Sequence, residues 1–162
     1  MNCKRGLKSR ATALQAHLFA RLVAHSPRQQ LVKVMSGRRR RPLLRQIFAA
    51  MPRMVRREAL SEGASEVVEI RIPGRPDGGT DVWQLRFTTD GCEASEGSHA
   101  KPRLITTFDP VSFLDFAAGL RSAPELFMQG KLKVEGDLLL GARLPSRFVF
   151  PGRARRRRRR LG

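Results

Sequence analysis

The chain has 162 residues and a formal net charge of +18, with 32 Lys and Arg residues against 14 Asp and Glu residues. Two cysteines are too few for a disulfide framework, and no apolar run approaches the 18 or so residues that cross a bilayer. The length is enough for one domain with a hydrophobic core and additional segments. This cysteine usage fits a reducing compartment, so we expect a cytoplasmic protein.

The positive charge is distributed unevenly along the chain. Residues 1–62 have a balance of +13 and residues 153–162 contribute +7, whereas residues 63–152 have a balance of −2. A charge asymmetry of this kind separates a near-neutral domain from basic arms that can meet an anionic partner. We therefore predict a basic amphipathic helical segment at residues 1–62, a domain at residues 63–150 and an Arg-rich disordered tail at residues 151–162.

The first predicted element is a helix near the N-terminus. Leu14, Leu18 and Leu22 recur every four residues, which predicts an amphipathic helix over residues 12–25 with these leucines on its apolar side. The pair Ser26-Pro27 should end this helix.

A second amphipathic helix is predicted after Pro42, because proline suits the first position of a helix. Leu43, Ile47 and Met51 again recur every four residues, and Pro52 should kink or restart the helix. Arginines surround this apolar stripe. Such a pattern packs either on its own domain or on a membrane, and both alternatives stay open.

In the middle of the chain the apolar residues alternate, which predicts β-strands. Val68, Ile70 and Ile72 lie on one face of a half-buried strand. The pair Asp90-Gly91 predicts the hairpin that joins the next two strands. With a fourth strand at residues 103–108, these segments predict an antiparallel meander with one apolar face.

The end of the domain combines short helices with one strand. Asp109 and Pro110 are typical of the N-cap and first position of a helix, and Pro124 predicts the start of another. A strand at residues 131–135 follows, and Asp137 caps a last apolar helix. Helices inserted into an antiparallel sheet predict an α+β domain.

The segment PELFMQGKLKVEGDLLLGARLPSRF, residues 124–148, resembles the sterol-carrier-protein-2 family, and the similarity extends over roughly residues 64–148. Within it, the run GKLKVEGD at residues 130–137 resembles a characteristic strand of that family. The resemblance implies an α+β fold with about five mostly antiparallel strands, covered by helices, with an apolar tunnel between sheet and helices. It also implies a lipid ligand, because family members bind sterols, fatty acids, fatty acyl-CoA or phospholipids. A bacterial branch assists ubiquinone biosynthesis by holding prenylated intermediates.

The residues expected to bind the lipid are apolar side chains of the predicted strands and helices. Burying a lipid chain contributes about 0.8 kcal/mol per methylene group and needs no particular polar geometry. Each of these residues fits a packed core as well as a tunnel lining, so the two interpretations remain open at every position. The predicted lipid-binding residues are Trp83, Leu85, Phe113, Phe116, Leu126, Phe127, Met128, Leu132, Leu139, Leu140 and Leu144.

No catalytic residue, metal site or cofactor is predicted. His17, His25 and His99 share no motif, and with two isolated cysteines they give no spacing that is typical of metal ligands. Ser112 has no base near it in the sequence and is better explained by a helix start than by a nucleophile. We therefore expect a binding protein rather than an enzyme.

The arginine runs predict contact with an anionic membrane surface or another polyanion. Each Lys or Arg near an anionic membrane contributes about 1 kcal/mol of attraction, and nucleic-acid phosphates are an alternative partner. No aromatic residue lies among the tail arginines, so base stacking is not supported, and we rank a neutral extension first, a membrane second and nucleic acid third. The residues predicted to make this contact are Arg38, Arg39, Arg40, Arg41, Arg155, Arg156, Arg157 and Arg158.

Three functions follow from these patterns. The first is carriage or presentation of a hydrophobic lipid (sterol-like, fatty acyl or prenyl) in an apolar tunnel, by a protein that is cytoplasmic or peripheral to the membrane. The second is an accessory or scaffold subunit of a membrane-associated lipid or ubiquinone biosynthetic complex, with a biosynthetic enzyme as partner. The third is polyanion binding through the Arg-rich arms. The sequence leaves the lipid and the oligomeric state open.

Overall fold

The computed structural model of the protein describes residues 3–56, 58, 60 and 65–150, with side chains from residue 14 onward. In this part of the chain, a five-stranded sheet is covered on one face by helices. The α+β class predicted from the sequence is confirmed.

The sheet has the strand order β3-β2-β1-β4-β5. Neighbouring strands are antiparallel except β1 and β4, which are parallel, so the sheet is mostly antiparallel as predicted. The predicted continuous meander is wrong at one step, because β4 pairs with β1 and not with β3. The strands are β1 (Glu66–Ile72), β2 (Asp81–Thr88), β3 (Gly91–Glu96), β4 (Leu104–Phe108) and β5 (Leu132–Gly136).

A buried polar network holds the loop between β3 and β4 on the outer face of the sheet. Glu69 accepts hydrogen bonds from the Ser98 hydroxyl at 2.8 Å and from the Gln84 amide at 2.9 Å. Burial raises the pKa of the Glu69 carboxyl, but hydrogen bonds led by the one from Gln84 outweigh burial, so its pKa lies below the ordinary value. The prediction of a half-buried β1 is therefore wrong, because the loop also buries Glu69 on the other face.

Among the described residues, three helices precede the sheet and three follow β4. A 3-10 turn (Met51–Met54) continues the third helix and contains Pro52, where the helix was predicted to be interrupted. A second 3-10 turn (Leu144–Arg147) continues the last helix. The helices are α1 (Cys3–His25), α2 (Arg28–Ser36), α3 (Arg40–Ala50), α4 (Pro110–Ala117), α5 (Ala123–Met128) and α6 (Leu138–Arg143).

Side-chain caps define where the helices near the cavity begin. Asp109 accepts a hydrogen bond from the backbone N–H of Ser112 at 3.1 Å, and Asp137 caps α6 in the same way at 2.9 Å. Both caps were predicted. The N-cap of α5 was missed: Ser122 and Glu125 form a reciprocal capping box, so α5 begins at Ala123, one residue before the predicted start at Pro124.

α1 packs through a different side from the one predicted. Leu14, Leu18 and Leu22 are exposed by 62%, 52% and 67%, whereas Ala20 and Val23 are buried. The reason is that α1 packs on α4 through the side that carries Ala20 and Val23, which leaves the leucine stripe outside. Within the described residues, no helix is both long enough and apolar enough to cross a membrane.

Helices from both sides of residue 62 share one hydrophobic core with the sheet. Val23 of α1, Met35 of α2 and Phe48 of α3 belong to the same buried cluster as Val68 of β1. The domain boundary that the charge distribution places at residue 62 remains a prediction. In the described residues, side-chain packing continues across it.

Candidate functional site

An apolar cavity of about 340 Å³ lies between the core face of the sheet and the helices α4, α5 and α6. Strands β1, β2, β4 and β5 form its floor, and both 3-10 turns contribute to its walls. Because successive side chains of a strand point to opposite faces, one set of alternating residues on each strand faces this space. Leu85 of β2, Leu104 of β4 and the pair Leu132 and Val134 of β5 are examples.

Thr106 carries the only polar side chain among the described residues that line the cavity. Its hydroxyl donates a hydrogen bond to the backbone carbonyl of Glu69 at 3.2 Å, so it is satisfied without a ligand. In the part of the chain that the structure describes, every buried side-chain nitrogen and oxygen has a partner. The lining therefore offers apolar contact and shape, and no free polar group for a ligand to bind.

Aromatic rings form one wall of the cavity. Phe108 and Phe116 lie with their ring centroids 5.1 Å apart, and Phe116 contacts Phe150 at 4.9 Å. Phe150 in turn lies 5.5 Å from Phe148, which also lines the space. Contacts in this range add to the energy of apolar burial and favour a rigid wall.

Five of the eleven residues predicted to bind lipid line this cavity. Leu85 lies on the floor, Phe116 on the aromatic wall, and Leu132 on the edge strand β5. Phe127 of α5 and Leu144, after α6, lie on the helical side. That these five residues contact a lipid remains a prediction.

The structure corrects the position expected of four other predicted residues, which lie in the packed core. Trp83 stacks on Phe48 with centroids 4.5 Å apart, and Phe113 stacks on the same ring at 5.4 Å. Leu126 and Leu140 are also buried but do not line the cavity. For Trp83 and Phe113, the stacked ring of Phe48 occupies the adjacent space.

The last two predicted residues lie outside the cavity, at its mouth. Met128 is 85% exposed and Leu139 is 72% exposed, and neither lines the space. Their neighbours Phe127 and Leu138 do line it and are still 54% and 64% exposed, so the cavity opens to solvent between α5 and α6. We call these four residues, Phe127, Met128, Leu138 and Leu139, the mouth patch.

Several lining residues were missed by the sequence analysis. Val134 could have been predicted, because it lies two residues from Leu132 on β5 and therefore faces the same side of the sheet. Gly141 carried a weaker signal: a Cβ atom there would be in ordinary van der Waals contact, 3.4 Å from the Leu104 side chain and 3.5 Å from that of Val134, so α6 lies close to the sheet at this residue. Phe148 carried none, because it follows the last predicted helix and pairs with residue 55 through an isolated bridge.

Arg40 is buried and hydrogen-bonded within the protein, and does not lie on the surface where the sequence analysis expects a polyanion contact. Its guanidinium donates to the Asp81 carboxylate and to four backbone carbonyls, with distances of 2.6 to 2.9 Å. The residue is only 2% exposed, as expected for a buried charge that is paired and fully hydrogen-bonded. The four carbonyl groups belong to Met35, Ile72, Pro73 and Gly74.

The other predicted arginines of this run remain on the surface. Arg38 and Arg39 are exposed, and Arg41 is exposed while its guanidinium lies 3.0 Å from the Glu96 carboxylate. Residues Arg155, Arg156, Arg157 and Arg158 lie outside the described residues. Contact of the exposed arginines with a polyanion stays a prediction.

Comparison with solved structures finds similar proteins of low sequence identity. Sec-alkylsulfatase Pisa1 from Pseudomonas sp. is 16% identical, with a TM-score of 0.51, and the match covers 64% of this chain and 16% of that chain. Sterol Carrier Protein 2 from Yarrowia lipolytica is 26% identical, with a TM-score of 0.42, over 48% of this chain and 66% of that one. A UbiJ-SCP2 ubiquinone synthesis protein is 15% identical, with a TM-score of 0.47, over 65% and 88%.

Comparison of sequences identifies the family. No curated protein sequence matches the chain. This chain spans less than two thirds of the length of the Yarrowia and Pseudomonas proteins. The family described as the SCP-2 sterol transfer family matches residues 44–148, which is more than half of the chain and includes every strand and the whole cavity lining. The chain therefore belongs to the SCP-2 sterol transfer family.

Proposed function

We propose that the protein binds a hydrophobic lipid in the apolar cavity and carries or presents it without catalysing a reaction on it. The observation that supports this most directly is the lining itself, which is apolar except for the satisfied hydroxyl of Thr106. General acid–base or nucleophilic chemistry needs a positioned polar side chain at the bound molecule. The described lining offers no such group.

The size of the cavity suits the apolar part of a small lipid. Its volume of about 340 Å³ lies at the lower end of the range of about 300 to 1,000 Å³ that is typical of small-molecule sites. About ten buried methylene groups would contribute about 8 kcal/mol, which corresponds to about micromolar affinity before the costs of ordering are subtracted. Apolar contact is therefore the main source of the binding energy from which these costs are subtracted.

The ligand classes that fit are sterol-like, fatty acyl and prenyl lipids, because each has an apolar part that needs no polar partner. The polar head of such a lipid would remain at the opening between α5 and α6, where Phe127 and Leu138 are both exposed and part of the lining. Membership of the SCP-2 sterol transfer family supports the same class of ligand.

Two neighbouring positions on α5 provide a matched test. Phe127 lines the cavity, whereas Met128 beside it does not, and both are more than half exposed. We expect Phe127→Asp to weaken binding of a pyrene-labelled fatty acid in solution by at least about tenfold, because it places a charge against an apolar ligand. Met128→Asp introduces the same charge one residue away and should bind the fatty acid like the unaltered protein.

The measurement is a fluorescence titration without vesicles, with circular dichroism to establish that both variants fold. Equal affinity in the two folded variants would contradict the assignment of the cavity as the binding site. Absence of binding by the unaltered protein, tested with fatty acyl, sterol and prenyl probes, would contradict the proposed function. The accessory-subunit interpretation would then be the one to pursue.

A further inference from the structure

We propose that the mouth patch inserts into the surface of a lipid bilayer, so that the ligand passes between bilayer and cavity without crossing water. This inference rests on the proposed lipid-binding function and adds a partner and an orientation to it. Its basis is the arrangement of apolar side chains around the opening of the cavity.

Exposed apolar side chains are concentrated at this opening. Nine large hydrophobic residues are exposed in the described part of the chain, and four of them form the mouth patch, on two helices of six residues each. Phe127 and Leu138 belong to the patch and to the cavity lining at once. At these two residues the apolar lining of the cavity therefore continues to the solvent.

A bilayer suits this patch better than a second copy of the chain. Single proteins commonly expose apolar patches of roughly 300 to 600 Å², whereas a stable protein interface needs about 800 Å² on each partner. The mouth patch has four side chains on two six-residue helices. Insertion into a bilayer needs neither that area nor shape complementarity. It needs apolar side chains that protrude, as Met128 and Leu139 do with 85% and 72% of their surface exposed.

The charges beside the patch are compatible with phospholipid head groups. Lys131 follows α5 and Arg143 ends α6, and neither has an ion-pair partner among the described residues. The acids next to them in the chain are largely neutralised, since Glu125 and Asp137 each pair with an arginine, at 2.8 and 2.6 Å. Glu135 alternates with the cavity-facing Val134 and lies on the opposite face of the sheet. Two free cations thus flank the patch.

Contact through the mouth would remove the main barrier to transfer. A lipid that leaves a bilayer through water exposes its whole apolar chain before it reaches the protein. If α5 and α6 touch the hydrocarbon, the chain moves from one apolar environment to another. The structure thus assigns the exposed leucine and methionine to exchange of the ligand and the lining residues to its retention.

The experiment separates exchange from retention by changing only residues that do not line the cavity. The double variant Met128→Ser/Leu139→Ser is compared with Val32→Ser, which removes a half-exposed apolar side chain of α2, and with Leu18→Ser/Leu22→Ser on α1. For each full-length protein, flotation measures binding to vesicles of equal parts phosphatidylcholine and phosphatidylglycerol. Fluorescence measures transfer of a pyrene-labelled fatty acid from these vesicles and its affinity in solution.

We expect the mouth-patch variant to lose at least about tenfold in vesicle binding and in transfer rate, because two apolar side chains no longer enter hydrocarbon. Its affinity for the fatty acid in solution should not change, and Val32→Ser should behave like the unaltered protein. Unchanged vesicle binding of the mouth-patch variant would overturn the proposal. So would a loss confined to the α1 variant, which would place the membrane contact on the leucine stripe of that helix.

Analytical ultracentrifugation of the same proteins tests the alternative that a second copy of the chain covers the mouth patch. If the unaltered chain is a dimer and Met128→Ser/Leu139→Ser is a monomer, the patch is an interface between copies and the bilayer proposal is wrong. Failure of the lipid-binding function has a different signature, since the unaltered protein would then not bind the fatty acid in solution. In that case flotation would still measure whether the mouth patch binds vesicles.

Discussion

The helix-covered face of the sheet has two halves that are built from the same residue types and packed differently. In the packed half, near Trp83, the ring of Phe48 stacks on Trp83 at 4.5 Å and on Phe113 at 5.4 Å. In the cavity half, near β5, apolar side chains enclose about 340 Å³ of space. The covering helices α5 and α6 have six residues each and direct Met128 and Leu139 outward, so they do not fill the space beneath them. Both halves are apolar, and we attribute the difference to the length and orientation of the covering helices.

The largest effect is expected for the arginine that ties α3 to the packed half. Arg40→Ala leaves Asp81 without its buried partner, so we expect a loss of stability near the upper end of the range of about 3 to 5 kcal/mol. Urea unfolding followed by circular dichroism measures it. The control is Arg39→Ala, one residue earlier and exposed, which should change stability by less than about 0.5 kcal/mol. Equal stabilities of the two variants would show that the buried hydrogen bonds of Arg40 contribute nothing.

The same truncation should mainly lower stability in the packed half and mainly weaken lipid binding in the cavity half. Phe113→Ala removes a fully buried ring between two other rings and should cost about 4 kcal/mol of stability. Phe127→Ala removes a ring that is 54% exposed and should cost less than about 1 kcal/mol, while it weakens lipid binding. Unfolding and fatty-acid titrations of both variants test this. If Phe127→Ala were as destabilising as Phe113→Ala, the cavity half would be packed as tightly as the other.

Replacing alanine by the larger leucine should also distinguish the packed half from the cavity half, with a smaller change in stability. Ala118→Leu places extra methyl groups where the residue is fully buried, and we expect a loss of about 1 to 3 kcal/mol. Ala123→Leu places the same groups against the cavity and should change stability by less than about 0.5 kcal/mol, while it lowers the affinity for lipid. A large destabilisation by Ala123→Leu would mean that the space is not available to a ligand.

The smallest effect concerns stability at acidic pH, and it comes from Glu69 on the outer face of the sheet. The pKa of Glu69 is lower in the folded protein than in the unfolded chain, so its contribution to stability is complete above the ordinary pKa of about 4.3. That contribution is lost as the pH falls through the lower, folded-state pKa. We therefore expect Glu69→Gln to reduce the fall in Tm below about pH 4, whereas exposed Glu135→Gln should leave it unchanged. A Tm profile of Glu69→Gln parallel to that of the unaltered protein would contradict this.

The sequence predicted the fold class and most elements because these depend on local rules. Alternation identified the strands, and Asp109 and Asp137 identified two helix starts through the caps that they form. The position of β4 beside β1 was not predicted, since strand pairing is a long-range property. The loop that leads to β4 is held by Glu69 and Gln84, and their burial has no signal in the sequence.

The site was predicted less completely, because a cavity lining and a packed core need the same side chains. Trp83 and Leu85 face the same side of β2, two residues apart, yet Trp83 stacks on a ring and Leu85 faces the cavity. The arginine run poses the same difficulty: of four consecutive arginines, only Arg40 is buried. Neither distinction depends on residue type, so both required the packed structure.

Native mass spectrometry of the protein purified from its own host, with extraction and identification of any bound lipid, tests the central claim most directly. We predict a co-purifying sterol-like, fatty acyl or prenyl lipid at up to one molecule per chain, and its loss from the folded Phe127→Asp variant but not from Met128→Asp. A folded protein that carries no lipid, or a lipid retained equally by both variants, would contradict the assignment of the cavity as a lipid-binding site.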